Sequence, residues 1–393
     1  MYLDLALIAG AILVFSSIAG LIEKSWISGP IVFVLFGFLI GPRALDILSL
    51  EMQRGMLKTL AELTLALVLF NDAAGADFKA LRRQIPMRML AIGLPLTLLL
   101  GFGAGVLLFG ELSIIEVAIL ATILAPTDAA LGQAVLKEEA IPANLRQGLN
   151  FESGLNDGIC VPILLVLIAL AIEKATHASG YQLALSHLLT ELGIGLLVGV
   201  VLAATSVHLL RFTRKQGWLG TAWIQLTVFA LAITTFATAQ SLGGSGFIAT
   251  FCGGLLFGYR LKGEHEDLLH FGEGMSDAFQ LITWVLFGAA VAGKALPNLT
   301  WPIFGYAVLS LTLLRMLPIF ISLAGTGVST EGKLFLGWFG PRGLATIVFA
   351  IMVIDINLPH GDIITTTVVF TIMLSILLHG ISAKPWAKLW ARK

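Results

Sequence analysis

The sequence predicts an all-helical membrane protein of about thirteen transmembrane spans, and three observations carry that prediction. The 393 residues are 57 % apolar and only 12 % charged. Mean hydropathy is +0.93, which excludes a water-soluble globule. Apolar stretches of about 20 to 25 residues each take up most of the chain and leave short connections, so residues 1–393 read as one transmembrane unit without a soluble domain.

Runs of 18 or more apolar residues bounded by charge, Gly or Pro place the spans in order. The first lies near 2–22; it opens Met-Tyr-Leu-Asp without a basic leader and reads as a retained span rather than a cleaved signal. The next five lie near 29–48, 57–76, 87–109, 113–136 and 145–172. The remainder fall near 183–210, 218–241, 245–261, 272–293, 301–325, 332–354 and 362–383. Formal net charge is zero, giving no reason to expect nucleic acid as a partner. Cys160 and Cys252 both sit inside apolar stretches, so no disulfide framework is indicated.

An odd number of spans puts the termini on opposite sides, and the basic residues choose between them. With the N-terminus outside, the outer connections carry only Arg43, Arg54, Lys58, Lys174 and Lys294, and Arg315 and Arg342 lie within spans. Every other one of the 24 basic residues then faces the cytoplasm, together with the C-terminus.

Two spans are interrupted. Span five contains Leu124-Ala-Pro-Thr-Asp-Ala129 and span twelve contains Phe339-Gly-Pro-Arg-Gly343, placing Pro and polar groups where a lipid-facing helix does not tolerate them. The offset of seven spans is odd. Two six-span units flanking span seven would therefore have inverted topology, with one broken helix from each crossing near the midplane.

Five ionisable residues sit deep in the spans: Asp128, Glu152, Asp157, Arg315 and Arg342. A charge at the centre of a spanning helix costs about 2.5 to 3.5 kcal/mol on insertion scales, so each needs a partner or a task. Mutual neutralisation is the plainer reading for the arginines. Intramembrane acids more often mark ion or proton pathways.

In span six, Asn150-Phe-Glu-Ser-Gly-Leu-Asn-Asp-Gly-Ile-Cys160, Glu152 and Asn156 are four apart and share a face. Asp157 points about 140° away at 100° per residue. Glu152 and Asn156 are expected to form a structural network with one arginine, and Asp157 to face an aqueous funnel. If the helix starts near Arg146, Asp157 lies about 16 Å along it, close to the bilayer middle. Asp157, aided by Thr127, Asp128 and carbonyls freed in span five, could hold a small alkali ion. Withdrawal from water disfavours the bare charge, so the same carboxylate could take a proton instead. One site taking either guest, with access alternating between faces, suffices for exchange, and no nucleotide-binding loop suggests a pump.

At these residues the sequence resembles the monovalent cation/proton antiporters of the NhaP type, prokaryotic relatives of Na+/H+ exchangers, nearly end to end. The most specific piece is Phe151-Glu-Ser-Gly-Leu-Asn-Asp-Gly158, similar to the family's Glu-Ser-x-x-Asn-Asp signature. Pro126-Thr-Asp128, Gly340-Pro-Arg-Gly343 and Leu69-Phe-Asn-Asp-Ala-Ala-Gly-Ala-Asp77 followed by Leu81-Arg-Arg83 support it. The resemblance implies the Na+/H+ antiporter fold, with two inverted six-helix repeats, crossed discontinuous helices and a homodimer. Its core would include spans near 57–172 and 272–383, and its dimerisation part spans near 2–48 and 183–261.

The resemblance also implies roles. Asp157 would alternately bind proton and Na+, while Asn156 replaces an acid of electrogenic relatives. Thr127 would give oxygen ligands and Asp128 would lie at the crossing, with Ser153 in the same ion-binding set. Glu152 would pair with Arg315, and Arg342 would offset helix-dipole ends at the second break. Ala129 departs from the Pro that many relatives carry after Thr-Asp, which bears on how span five unwinds. One titrating carboxylate implies electroneutral exchange of one Na+ (or Li+) for one H+ in an inner (plasma) membrane, serving sodium and pH homeostasis. No cofactor is implied beyond the transported ions. A K+/H+ antiporter of the same mechanism is the alternative.

Weaker signals remain. His265 and His270, in a charge-rich loop, could sense pH, although a solvated loop explains them. Asp72 and Asp77 could line the funnel or anchor the interface. Asn298-Leu-Thr300 fits a glycosylation triplet and is given no role. Gly243-Gly-Ser-Gly246 with His379 admits an intramembrane serine protease at Ser245, a motif without context. A passive channel would need a continuous pore.

Overall fold

The computed structural model describes residues 2–22, 25, 27–48, 54–76, 83–128, 131, 133–136, 138–139, 141–176, 181–218, 220, 223, 226–261, 266–292 and 296–391. The described residues are helical almost throughout. In order come α1 (Tyr2–Ile22), α2 (Gly29–Ile40), α3 (Arg54–Gly75), α4 (Gln84–Leu108), α5 (Ile114–Ile123), the short α6 (Gln133–Leu136) and α7 (Ala143–Thr176). There follow α8 (Tyr181–Lys215), α9 (Leu226–Ser241), α10 (Gly246–Arg260), α11 (Glu266–Phe287), α12 (Trp301–Ser322), α13 (Thr330–Trp338), α14 (Leu344–Asp355) and α15 (Gly361–Ala391). Seven of these helices are long and apolar enough to cross a membrane, and α2, α5, α9 and α14 are shorter apolar helices. The protein is a multi-pass membrane protein.

Local chemistry sets the ends. Pro30 occupies the first turn of α2, where its missing N–H costs nothing. Ser113 and Glu116 form a capping box at α5, and Glu116 also accepts the His360 amide at 2.9 Å, tying α5 to the turn before α15. Ser245 caps α10 by accepting from the Ile248 amide at 3.3 Å and is buried. That is a structural use of the residue on which the protease reading rested.

Several spans end earlier than hydropathy suggests. Span two, expected to 48, stops at Ile40 because Gly41-Pro42 cannot continue a helix; the chain then folds back so that Leu48 donates to the Ile40 carbonyl at 2.8 Å. Span five is helical only to Ile123, and span twelve divides into α13 and α14. Span eleven, α12, is interrupted at Thr312, and α4 carries a π-turn over Met89–Gly93. Spans four and eleven thus both deviate next to the broken spans five and twelve, at positions seven spans apart.

Small residues set the tightest helix contacts. On α10, a Cβ at Gly258 or Gly254 would meet the backbone of Ala74 or Phe70 on α3. On α2, Gly37 likewise lies against the Val285 backbone of α11. Lipid tails are as apolar as Leu, so such backbone proximity, rather than burial from water, gives the packing.

Candidate functional site

The two interruptions cross. After α5 the chain has no regular secondary structure through Pro126, Thr127 and Asp128, and after α13 it has none from Phe339 to Gly343. The Asp128 amide donates to the Pro341 carbonyl at 2.8 Å. The Asp128 carboxylate accepts from the Leu344 amide at 2.9 Å, so it caps the positive end of α14. Arg342, fully buried, does the reverse for α5: its Nη1 donates to the Ala125 and Pro126 carbonyls, both at 3.0 Å. Its Nη2 donates to the Ser310 carbonyl on α12 at 3.3 Å. Each half-helix end receives the opposite charge, and the backbone groups freed by the breaks find partners.

Gly343 permits this joint. A Cβ there would occupy the space of the Asp128 carboxylate. Gly343→Ala is therefore expected to push Asp128 off the α14 cap, costing roughly 1–3 kcal/mol of overpacking and most of the transport rate. Thermal unfolding and vesicle flux check it, and wild-type values in both would contradict the contact.

α7 brings four polar side chains to the first break. Glu152 and Asn156 are fully buried, Ser153 is 2 % and Asp157 7 % exposed. Arg315 on α12 donates to Glu152 through Nη1 at 2.8 Å and Nη2 at 2.7 Å, a bidentate pair at zero exposure. Gly340 makes room for that guanidinium, since a Cβ there would press on Arg315 Nε and on Thr127. Asn156 Nδ2 donates to Thr127 Oγ1 at 2.7 Å and to Glu152 at 3.2 Å. Thr127 Oγ1 lies 2.9 Å from Ser153 Oγ and 3.3 Å from Glu152 Oε2. One network thus joins Glu152, Arg315, Asn156, Thr127 and Ser153.

Asp157 stands apart from it. Its Oδ1 has no hydrogen-bond partner among the described residues, and neither has Asn156 Oδ1. The carboxylates acting electrostatically on Asp157 are Asp128, Asp72 and Glu152. Buried oxygens left unpaired cost ~1–3 kcal/mol each or more when charged, and a carboxylate oxygen with no donor is suited to a cation or a proton.

A cavity of about 480 Å³ leads toward this region, lined by Asn71, Asp72, Asp128, Arg146, Ser276 and Gln280 among others. Its lining includes Asp72 and Asp128 but not Asp157, contrary to the expectation that Asp157 faces the funnel. α7 backs onto the funnel wall at Gly154, whose Cβ position is 3.4 Å from the Asp72 Cβ. Asn71 and Ser276, bonded at 2.6 Å, escaped the sequence reading. The available signal was polar side chains inside apolar spans, with Ser276 and Gln280 four apart on α11. Ala129, Asp77 and His265 lie outside the described residues, and His270 is described only as backbone of α11.

Comparison with known proteins adds three findings. A family profile described as "Sodium/hydrogen exchanger, transmembrane" matches residues 7–389. The "K(+)/H(+) antiporter NhaP2" of Shewanella oneidensis is 24 % identical over 268 residues, 68 % of this chain and 46 % of that protein. The chain thus spans about half the length of that relative. The "K(+)/H(+) antiporter NhaP" of Alkalimonas amylolytica is 24 % identical over 392 residues, 98 % of this chain and 67 % of that one. Among solved structures, the sodium proton antiporter MjNhaP1 from Methanocaldococcus jannaschii at pH 8 superposes with a TM-score of 0.76 at 22 % identity. It covers 96 % of this chain and 99 % of that one, and the fold is shared.

Proposed function

The chain belongs to the family of transmembrane sodium/hydrogen exchangers, and on that premise we propose that it is a secondary antiporter exchanging Na+ or Li+ for H+. The observation that carries the reading is Asp157, a nearly buried carboxylate with one oxygen unpaired among the described residues. Either guest satisfies that oxygen; both together overfill it. Binding Na+ expels the proton, and reprotonation expels Na+. Asn156 beside it carries no charge, so one carboxylate titrates and each cycle moves one cation against one proton.

The neighbours divide the remaining work. The Asn156 and Ser153 contacts hold Thr127 Oγ1 in the network; with Thr127 accepting from Asn156 and donating to Ser153, one lone pair of Oγ1 is left for a cation. Asp128 is engaged at the α14 cap while its side chain also lines the cavity, placing it on the approach rather than at the terminus. Cations reach the site through the acid-lined cavity. The proton gradient drives the cycle, and no cofactor takes part.

The arrangement further proposed is a homodimer in the plasma membrane, N-terminus outside and C-terminus cytoplasmic, which makes the 480 Å³ cavity the cytoplasmic entrance. Spans near 57–172 and 272–383 would form the transporting core, and spans near 2–48 and 183–261 the dimerisation part.

A second reading is K+/H+ exchange at the same carboxylate, favoured by the names of the Shewanella and Alkalimonas relatives. Internal pH of reconstituted vesicles distinguishes them. Addition of Na+ or Li+ is expected to move protons, without a lasting current that follows an imposed potential. A response to K+ alone selects the second reading, and a sustained current rejects one-for-one exchange.

A further inference from the structure

Ser375 and His379 lie four residues apart on one face of α15 and are buried to 0 % and 1 % exposure. Their partners are the two ends of the second break. Ser375 Oγ accepts from the Arg342 backbone amide at 2.8 Å. His379 Nε2 stands 2.8 Å from the Trp338 carbonyl. Trp338 is the last residue of α13, and its carbonyl accepts from Gly340 at 2.8 Å as well. Arg342 precedes α14 by two residues. A single i, i+4 pair therefore bridges the whole interruption.

Both nitrogens of the ring face carbonyls. A carbonyl only accepts and a neutral ring has one N–H, so the ring serves either Trp338 through Nε2 or the Ser375 carbonyl through Nδ1; only the Nε2–H form reaches across the break. Nδ1 lies 3.2 Å from Ser375 Oγ and 2.9 Å from the Ser375 carbonyl. With Nδ1 bare, the serine hydroxyl donates to it while accepting from Arg342. A continuous chain results, from the Arg342 amide through Ser375 and His379 to Trp338. The charges bearing on the ring come from other elements, Arg342 in the break and Arg315 on α12.

The position has a counterpart. α7 and α15 close the two inverted six-span units, and on α7 the i, i+4 pair Glu152 and Asn156 meets the first break at Thr127. In the second unit, the corresponding helix meets the second break through Ser375 and His379. We propose that Ser375 and His379 are positioning residues for the ion site. They clamp both ends of the second break and so hold Arg342 where it reaches the Ala125 and Pro126 carbonyls beside Thr127 and Asp128. This rests on the antiporter reading for its functional consequence only.

The test compares Ser375→Ala, His379→Leu and His379→Gln with the unaltered protein in vesicles, reading apparent KM and maximal rate for Na+. It also records 15N spectra of histidine-labelled protein. Ser375→Ala and His379→Leu are expected to raise KM by about fivefold to tenfold, the size of one or two lost hydrogen bonds. His379→Gln, which keeps a donor for Trp338, retains more than His379→Leu. His379 is expected as the Nε2–H tautomer, with its Nδ1 resonance moved by Ser375→Ala. An Nδ1–H tautomer, or unchanged KM in both Ser375→Ala and His379→Leu, overturns the clamp. Should His379→Leu not fold, Ser375→Ala decides alone. If the unaltered protein moves no protons on adding any alkali cation, the antiporter reading fails, while the tautomer and its response to Ser375→Ala still decide the clamp.

Discussion

Vesicles carrying Asp157→Asn are expected to show no cation-driven pH change above that of empty vesicles. A carboxamide neither releases a proton at working pH nor offers a full negative charge to an alkali ion. At an effective dielectric constant of about 20, a contact between unit charges is worth several kcal/mol, so exchange falls by at least ~100-fold. Stability should move the other way or not at all, because the substitution removes a buried charge with an unpaired oxygen. Flux and thermal unfolding together check this. Near-normal exchange by a well-folded Asp157→Asn protein would remove Asp157 from the mechanism.

The second large effect is on the fold. Glu152 and Arg315 are bonded through both terminal guanidinium nitrogens at zero exposure. Removing one partner from such a pair leaves an uncompensated buried charge and costs ~3–5 kcal/mol. Arg315→Met and Glu152→Gln are each expected to lower the unfolding temperature of the purified protein by several degrees or more. Replacing both, as Glu152→Leu with Arg315→Met, should restore most of that loss, since apolar substitutes of similar volume often match a buried pair. It should not restore transport, because Asn156 and Thr127 also bond to Glu152. An Arg315→Met protein that melts like the unaltered one would show that the pair does not hold α7 to α12.

Much of this was readable from residue order because bilayers impose strong rules. Each of the thirteen hydropathic stretches corresponds to a helix or a pair of half-helices, and the two Pro-containing interruptions cross. What hydropathy could not give is where a helix stops inside an apolar run. Span two ends at Ile40 through Gly41-Pro42, and span eleven breaks at Thr312 although its residues are ordinary helix formers. Helical periodicity separates Asp157 from Glu152, but depth relative to a neighbouring helix is tertiary. The sequence therefore leaves open that Asp72 and Asp128, rather than Asp157, meet the cavity. His379 was visible only as an isolated imidazole, because its partners are backbone atoms of another span. A carbonyl's availability depends on where the facing helix ends, which no side-chain pattern records.

The mutual capping of the crossing fixes what can move. Asp128 on one strand serves the other's helix start, and Arg342 returns the service to the first helix's carbonyls, so neither strand can retreat alone. Parting them would strand a carboxylate, a guanidinium and several peptide groups out of reach of water, each neutral one at ~1–3 kcal/mol and the ions at more. Opening such a buckle costs the sum of these terms. A passenger that changes sides with the buckle fastened avoids that cost, which favours slippage along the surrounding greasy seams over unthreading of the braid itself.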